Sequence, residues 1–97
     1  MHPVKRVEII IDAPELPVLL AALRQKGVRG YSIFSPVTGL GARGERRNDE
    51  PGGGAASACV LMALPEEEAK VVVEVVRPIL KKRGGVCLVS DAQWVVH

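Results

Sequence analysis

The 97 residues of this chain predict an α+β domain of the ferredoxin-like type, in the order β-α-β-β-α-β. Three observations carry that prediction. Apolar residues alternate along short segments, as strands require. Two other segments carry apolar residues at helical spacing. Glycine, proline and charged residues fall where helices should begin and end.

The elements follow in order. Residues 4–11 alternate, with Val7, Ile9 and Ile11 on one side and Arg6, Glu8 and Ile10 on the other, which predicts a first strand. Asp12 then stands as a helix N-cap, with Pro14 and Glu15 in the first turn. Leu16, Leu19, Leu20 and Leu23 form an apolar helical stripe, and Gly27 ends that helix. Residues 30–37 are rich in β-branched and aromatic side chains and predict a second strand. Residues 55–64 form a third strand, apolar at every position from Ala58 to Leu64. Pro65 and Glu66, Glu67 and Glu68 open a second helix, buried through Ala69, Val72, Val76 and Ile79 or Leu80. Lys81, Lys82 and Arg83 complement its negative end, and Gly84 terminates it. Pro78 interrupts this helix and predicts a kink or an irregular last turn. Residues 86–96 predict the fourth strand.

Right-handed crossovers then place the antiparallel strands in the order 4-1-3-2. Both helices cover one face, so the other face must meet something. The third and fourth strands are apolar on both sides, which predicts a homo-oligomer packed sheet to sheet. Cys59 and Cys87 fall two strand spacings apart, roughly 9–10 Å, beyond disulfide reach. Both are expected as buried, reduced thiols.

Composition excludes several classes. A chain of 97 residues makes one domain, residues 1–97. Thirteen Lys and Arg against eleven Asp and Glu leave a formal charge of +2, with no clustered basic field for nucleic acid. Tyr31, Phe34 and Trp94 are the only aromatic residues, too few for a base-stacking sheet surface. No apolar run approaches the roughly 20 residues of a membrane span, and no export signal opens the chain. A cytoplasmic protein is expected. His2 and His97 stand at opposite ends and no metal-ligand spacing occurs.

The chemistry-bearing motifs are few. Residues 38–54, between the second and third strands, have six glycines and no hydrophobic period. A loop of this length inside a compact domain is usually functional or mobile. It contains Gly39, Gly41, Arg43, Gly44 and Arg46. Glycines let backbone N–H groups approach an anion, and arginines add bidentate phosphate contacts. The plainer alternative is a solvated surface loop. Arg83, Gly84 and Gly85 form a second glycine site, which alone reads best as a helix cap and turn. In a sheet-to-sheet oligomer, the long loop of one subunit could reach the end of the second helix of another. The three consecutive glutamates are helix N-terminal charge, and Asp91 and Trp94 read as edge or interface residues. Ser32, Ser35 and Ser90 have no histidine partner, so nucleophilic catalysis has no support. The chain reads as a binding module, not an enzyme.

These residues resemble the PII signal-transduction superfamily over essentially the whole chain. Residues 38–54 correspond to its T-loop, and Gly39-Leu40-Gly41 to the opening Gly-x-Gly. The wider pattern Gly39-x-Gly41-x-Arg43-x-x-Arg46, with Gly30-Tyr31-Ser32-Ile33 before it, looks more like the carboxysome-associated and bicarbonate-transporter-associated PII-like proteins. Arg83-Gly84-Gly85-Val86 matches their shortened B-loop. The resemblance implies a homotrimer with a nucleotide in each cleft between neighbouring subunits. Gly39, Gly41, Arg43 and Arg46 would lie near phosphate or a small anion, Gly84 and Gly85 would contact it from the B-loop, and Ser32 would lie near adenine.

The departures sharpen the expectation. The loop has no tyrosine for uridylylation, the B-loop lacks lysine, and residues matching the arginine-bearing C-loop do not follow the last strand. Fewer cations favour ADP or AMP over ATP, with bicarbonate a candidate second ligand. Partners implied are a bicarbonate transporter, a carboxysome component or a related enzyme. Alternatives of the same general architecture are a CutA-like metal-tolerance trimer, against which the absence of clustered ligands counts, and an ACT-like small-ligand domain, which usually forms dimers. An acylphosphatase-like enzyme shares the strand order, and no activity of that kind is expected.

Overall fold

The structure is a computed structural model that describes residues 1–37, 39–41, 44–46 and 56–97. Its main sheet holds β1 (His2–Asp12), β2 (Ser32–Val37), β5 (Ser57–Leu64) and β6 (Val86–Trp94). Two short strands between β2 and β5, β3 (Gly39–Gly41) and β4 (Gly44–Arg46), form a separate ribbon. The helices are α1 (Leu16–Gln25) and α2 (Glu66–Arg83). The four main strands lie in the order β2-β5-β1-β6, all antiparallel, as the crossover argument predicts.

The strand alternation sets the core. Val7, Ile9 and Ile11 of β1 and Val60, Met62 and Leu64 of β5 turn toward the helices and are buried. They meet Leu19 and Leu23 of α1 and Ala69, Val72 and Val76 of α2, with Leu16, Leu20, Ile79 and Leu80 packed at the margin. The first helix ends in a Schellman arrangement. Val28 N–H donates to Leu23 O at 3.1 Å and Gly27 N–H to Arg24 O at 3.0 Å, with Gly27 at φ 82°. Val28 and Leu23 then meet in the core.

Some expectations are corrected. Asp12 does not lead directly into the helix: a 3-10 turn at Ala13–Glu15 intervenes, and α1 begins at Leu16. Ala13 N–H bonds to Ala56 O at 2.7 Å, so this junction is tied to the chain entering β5 instead of winding as α-helix. Helix α2 runs unbroken through Pro78 to Arg83. Pro78 is exposed. The cysteines are free, as expected, but half-buried instead of buried. Cys59 lies opposite Ile10 and Cys87 opposite Ile9, so the thiols also point to opposite faces of the sheet. The segment read as lacking a pattern contains the β3–β4 ribbon, while residues 38, 42, 43 and 47–54 of it, and residue 55 at the expected start of the third strand, lie outside the described residues.

The sheet face away from the helices is open. Ile10, Phe34, Cys59, Leu61, Val86, Leu88 and Trp94 share it by register. Phe34 is 53%, Leu88 55% and Trp94 52% exposed in the single chain. Arg6 and Glu8 pair on this face at 3.1 Å, Nε to Oε1.

Candidate functional site

The registers fix where the two glycine segments lie. Val37 at the end of β2 and Asp12 at the end of β1 both pair with Ser57 at the start of β5. Val86 at the start of β6 pairs with Ile10, two residues from the same end of β1. The long loop and the Gly84–Gly85 turn therefore leave from one end of the sheet. They leave from opposite edges, however, three strand spacings or roughly 14 Å apart. Among the described residues, the strand ends of a single chain do not bring them around one cleft.

Within the loop, Gly39 pairs with Arg46, Leu40 with Glu45 and Gly41 with Gly44. The ribbon thus brings the backbones of Gly39, Gly41 and Arg46 together, two glycines beside a cation-bearing residue. Arg43 lies outside the described residues.

Gly84 and Gly85 have structural reasons to be glycine. Gly84 sits at φ 82° and ψ 172°, a region essentially closed to other residues. Its N–H still donates to Leu80 O at 2.7 Å, closing the last helical turn. Gly85 has φ 123°, and a Cβ there would lie 2.7 Å from Ile10 O and 2.7 Å from Ile11 Cγ2. The turn is pressed against the backbone of β1. Beside it, Arg83 pairs with Glu15 through Nη1 and Oε2, while Lys81 and Lys82 stay exposed.

Ser32 lies elsewhere. It opens β2 opposite Leu61, at the end of the sheet away from the loop. Five residues of strand, roughly 16 Å, separate it from Val37. There it lines a depression of about 450 Å³ with Arg6, Tyr31, Leu61, Ala63 and Trp94 among its walls. Two of the chain's three aromatic residues border this hollow, which suits a flat ring with a hydroxyl at its rim. Sequence reading did not bring Tyr31, Trp94 and Arg6 together at this hollow. Their juxtaposition comes from the pairing of all four main strands and leaves no local pattern.

A second polar cluster stands at that end. Lys5 Nζ bonds to Asp91 and lies 3.9 Å from Glu66 Oε1. The hydrogen bond from Lys5 to Asp91 keeps the ammonium charged above its ordinary range. A cation held by two carboxylates offers little to an anionic ligand. Among the described residues no group of three His, Cys, Asp or Glu could hold a metal.

This architecture belongs to a known family. The model of the nitrogen regulatory protein P-II family matches residues 4–96, and the chain is a member of that family of regulatory proteins. Among solved structures it is similar to CPII, a nitrogen regulatory PII-like protein from Thiomonas intermedia K12, bound to ADP, AMP and bicarbonate. That match has a TM-score of 0.84 and 28% identity, covering 96% of this chain and 89% of that one. CPII bound to ADP and bicarbonate matches at 0.82 and 28%, covering 96% and 89%. The apo form of CPII matches at 0.76 and 27%, covering 96% and 92%. No curated protein matches the chain.

Proposed function

We propose that this chain is a PII-like regulator of inorganic-carbon metabolism that binds ADP or AMP, with bicarbonate as a second ligand, between the subunits of a cytoplasmic homotrimer. One observation carries the reading: two glycine segments leave the same end of the sheet from opposite edges. That placement suits a cleft closed by a neighbouring subunit, where the long loop of one chain faces the Gly84–Gly85 turn of the next. Similarity to CPII, whose structure holds ADP, AMP and bicarbonate, supplies the ligand class.

In this reading the backbone N–H groups around Gly39 and Gly41 approach the phosphates. Arg43 and Arg46 supply charge to phosphate or bicarbonate, and Gly84 and Gly85 close on the nucleotide from the other side. Ser32 meets the base in the hollow beside Tyr31 and Trp94. A ligand touching the loop shifts the population of its ordered form by its differential affinity. The loop in turn changes docking to a transporter, an enzyme or a carboxysome component. No catalytic step is required.

Isothermal titration with AMP, ADP and ATP, with and without bicarbonate, tests this. ADP or AMP should bind most tightly, bicarbonate should strengthen binding, and Arg43→Ala should weaken it by at least tenfold. Absence of heat with every nucleotide at millimolar concentration would sink the reading.

A further inference from the structure

The Gly84–Gly85 turn has no side chain of its own to fix it, and glycine backbone is the most easily deformed. From one side it is held by the strand, where Gly85 lies against Ile10, Ile11 and Leu80. From the other side its base is held by a side-chain bond of Arg83, the last residue of α2. Its partner Glu15 is 68 positions away and closes the 3-10 turn that follows β1. That turn is itself anchored, since Ala13 N–H bonds to Ala56 O at 2.7 Å where the chain enters β5. The Arg83 and Glu15 side chains are 33% and 26% exposed, so the pair is only partly screened by solvent.

We infer that Glu15 is a positioning residue for the Gly84–Gly85 turn. Its carboxylate holds the Arg83 guanidinium, and this clamp fixes the direction in which the turn presents the backbone at Gly85 to a nucleotide, the Gly84 N–H being held by Leu80 O. The inference rests on the nucleotide reading proposed above. It gives Arg83 a bracing role, with its charge spent on Glu15 and not on the ligand.

The test is ADP titration on the full chain, comparing Glu15→Gln, Arg83→Gln, the double variant and Arg83→Lys. Each single glutamine variant should weaken ADP by about fivefold, and the double variant no further than either single, because one interaction is lost in all three. Arg83→Lys, which keeps a cation for the single Nη1 contact, should hold affinity within about twofold. Amide hydrogen exchange at residues 84–86 should rise in the glutamine variants and stay low in the lysine variant, a readout that separates loss of the clamp from general destabilisation.

Wild-type binding with unchanged affinity in both glutamine variants overturns the clamp and leaves the nucleotide reading standing. Weaker binding in Arg83→Gln with tighter binding in Glu15→Gln also overturns it, because Glu15 would then be competing with the ligand for Arg83. A wild-type chain that binds no adenine nucleotide removes both readings together.

Discussion

At the scale of single residues, Gly85 is the most constrained position. Its φ of 123° is reserved for glycine, and a methyl group would sit 2.7 Å from Ile10 O, a backbone atom that cannot step aside. Strain and overpacking together put the cost of Gly85→Ala at about 3 kcal/mol. Gly84→Ala should cost about 2 kcal/mol from backbone conformation alone. Urea denaturation of both variants checks the order, and equal midpoints would remove the packing argument. The thiols give a second prediction. Burial lifts both above the usual 9.0, with the Glu8 carboxylate adding to the effect at Cys59. A raised thiol pKa favours the folded state while the thiol is neutral in both states. That contribution is present below about pH 9 and is lost as the pH climbs through the folded value. The thiolate is the reactive form, so alkylation of the native protein at pH 8 should run well below that of the unfolded chain. Equal rates in the two states would contradict it. Burial of Val7, Ile9 and Ile11 was legible from alternation alone, but the half-exposure of Cys59 and Cys87 was not. Both lie in apolar runs, and an apolar run does not show how far an edge strand or an open face leaves each thiol exposed.

At the scale of elements, α2 shows how packing overrides local preference. Pro78 removes the hydrogen bond to the Glu74 carbonyl, yet the helix runs from Glu66 to Arg83. Val72 and Val76 before it and Ile79 and Leu80 after it all pack on the core, which holds the turn in place. Because the Pro78 ring is exposed, Pro78→Ala should restore the bond without disturbing the core. The gain is the interior-proline cost of about 3 kcal/mol, less about 1 kcal/mol of lost rigidity in the unfolded chain, or about 2 kcal/mol. Thermal denaturation checks it, and a lower midpoint would show that proline is favourable there. Both helices and all four main strands were legible because period and caps agreed over long segments. The 3-10 turn at Ala13–Glu15 and the β3–β4 ribbon were not. The turn answers to a bond between Ala13 and Ala56, 43 positions apart. The ribbon is built from glycines and charged residues that carry no periodic signal. Gly39, Gly41, Gly84 and Gly85 were found because glycine between elements is conspicuous. The Glu15–Arg83 pair was invisible because Arg83 already had an adequate local reason, charge at the negative end of its helix.

At the scale of the whole molecule, the open sheet face decides between a lone chain and an assembly. Val86, Leu88 and Trp94 of β6 and Phe34 of β2 are each about half exposed in the single chain, on a face that no helix covers. An apolar surface of this extent on a small domain is characteristic of an interface. The Arg6–Glu8 pair on the same face is already internally neutralised at 3.1 Å, so it would enter an interface as a bonded pair. Leu88 is the sharpest probe: at 55% exposure its side chain contributes little to the fold of one subunit, and it sits opposite Glu8 on β1. Leu88→Asp places a carboxylate beside Glu8 and would bury it wherever two sheets meet. Light scattering should therefore show trimers for the wild-type chain and monomers for Leu88→Asp, with unchanged circular dichroism. If the nucleotide cleft lies between subunits, the same variant should lose ADP affinity by more than tenfold, although Leu88 is on β6 and not in either glycine segment. A monomeric variant with wild-type affinity would place the whole site within one chain and overturn the cleft between subunits.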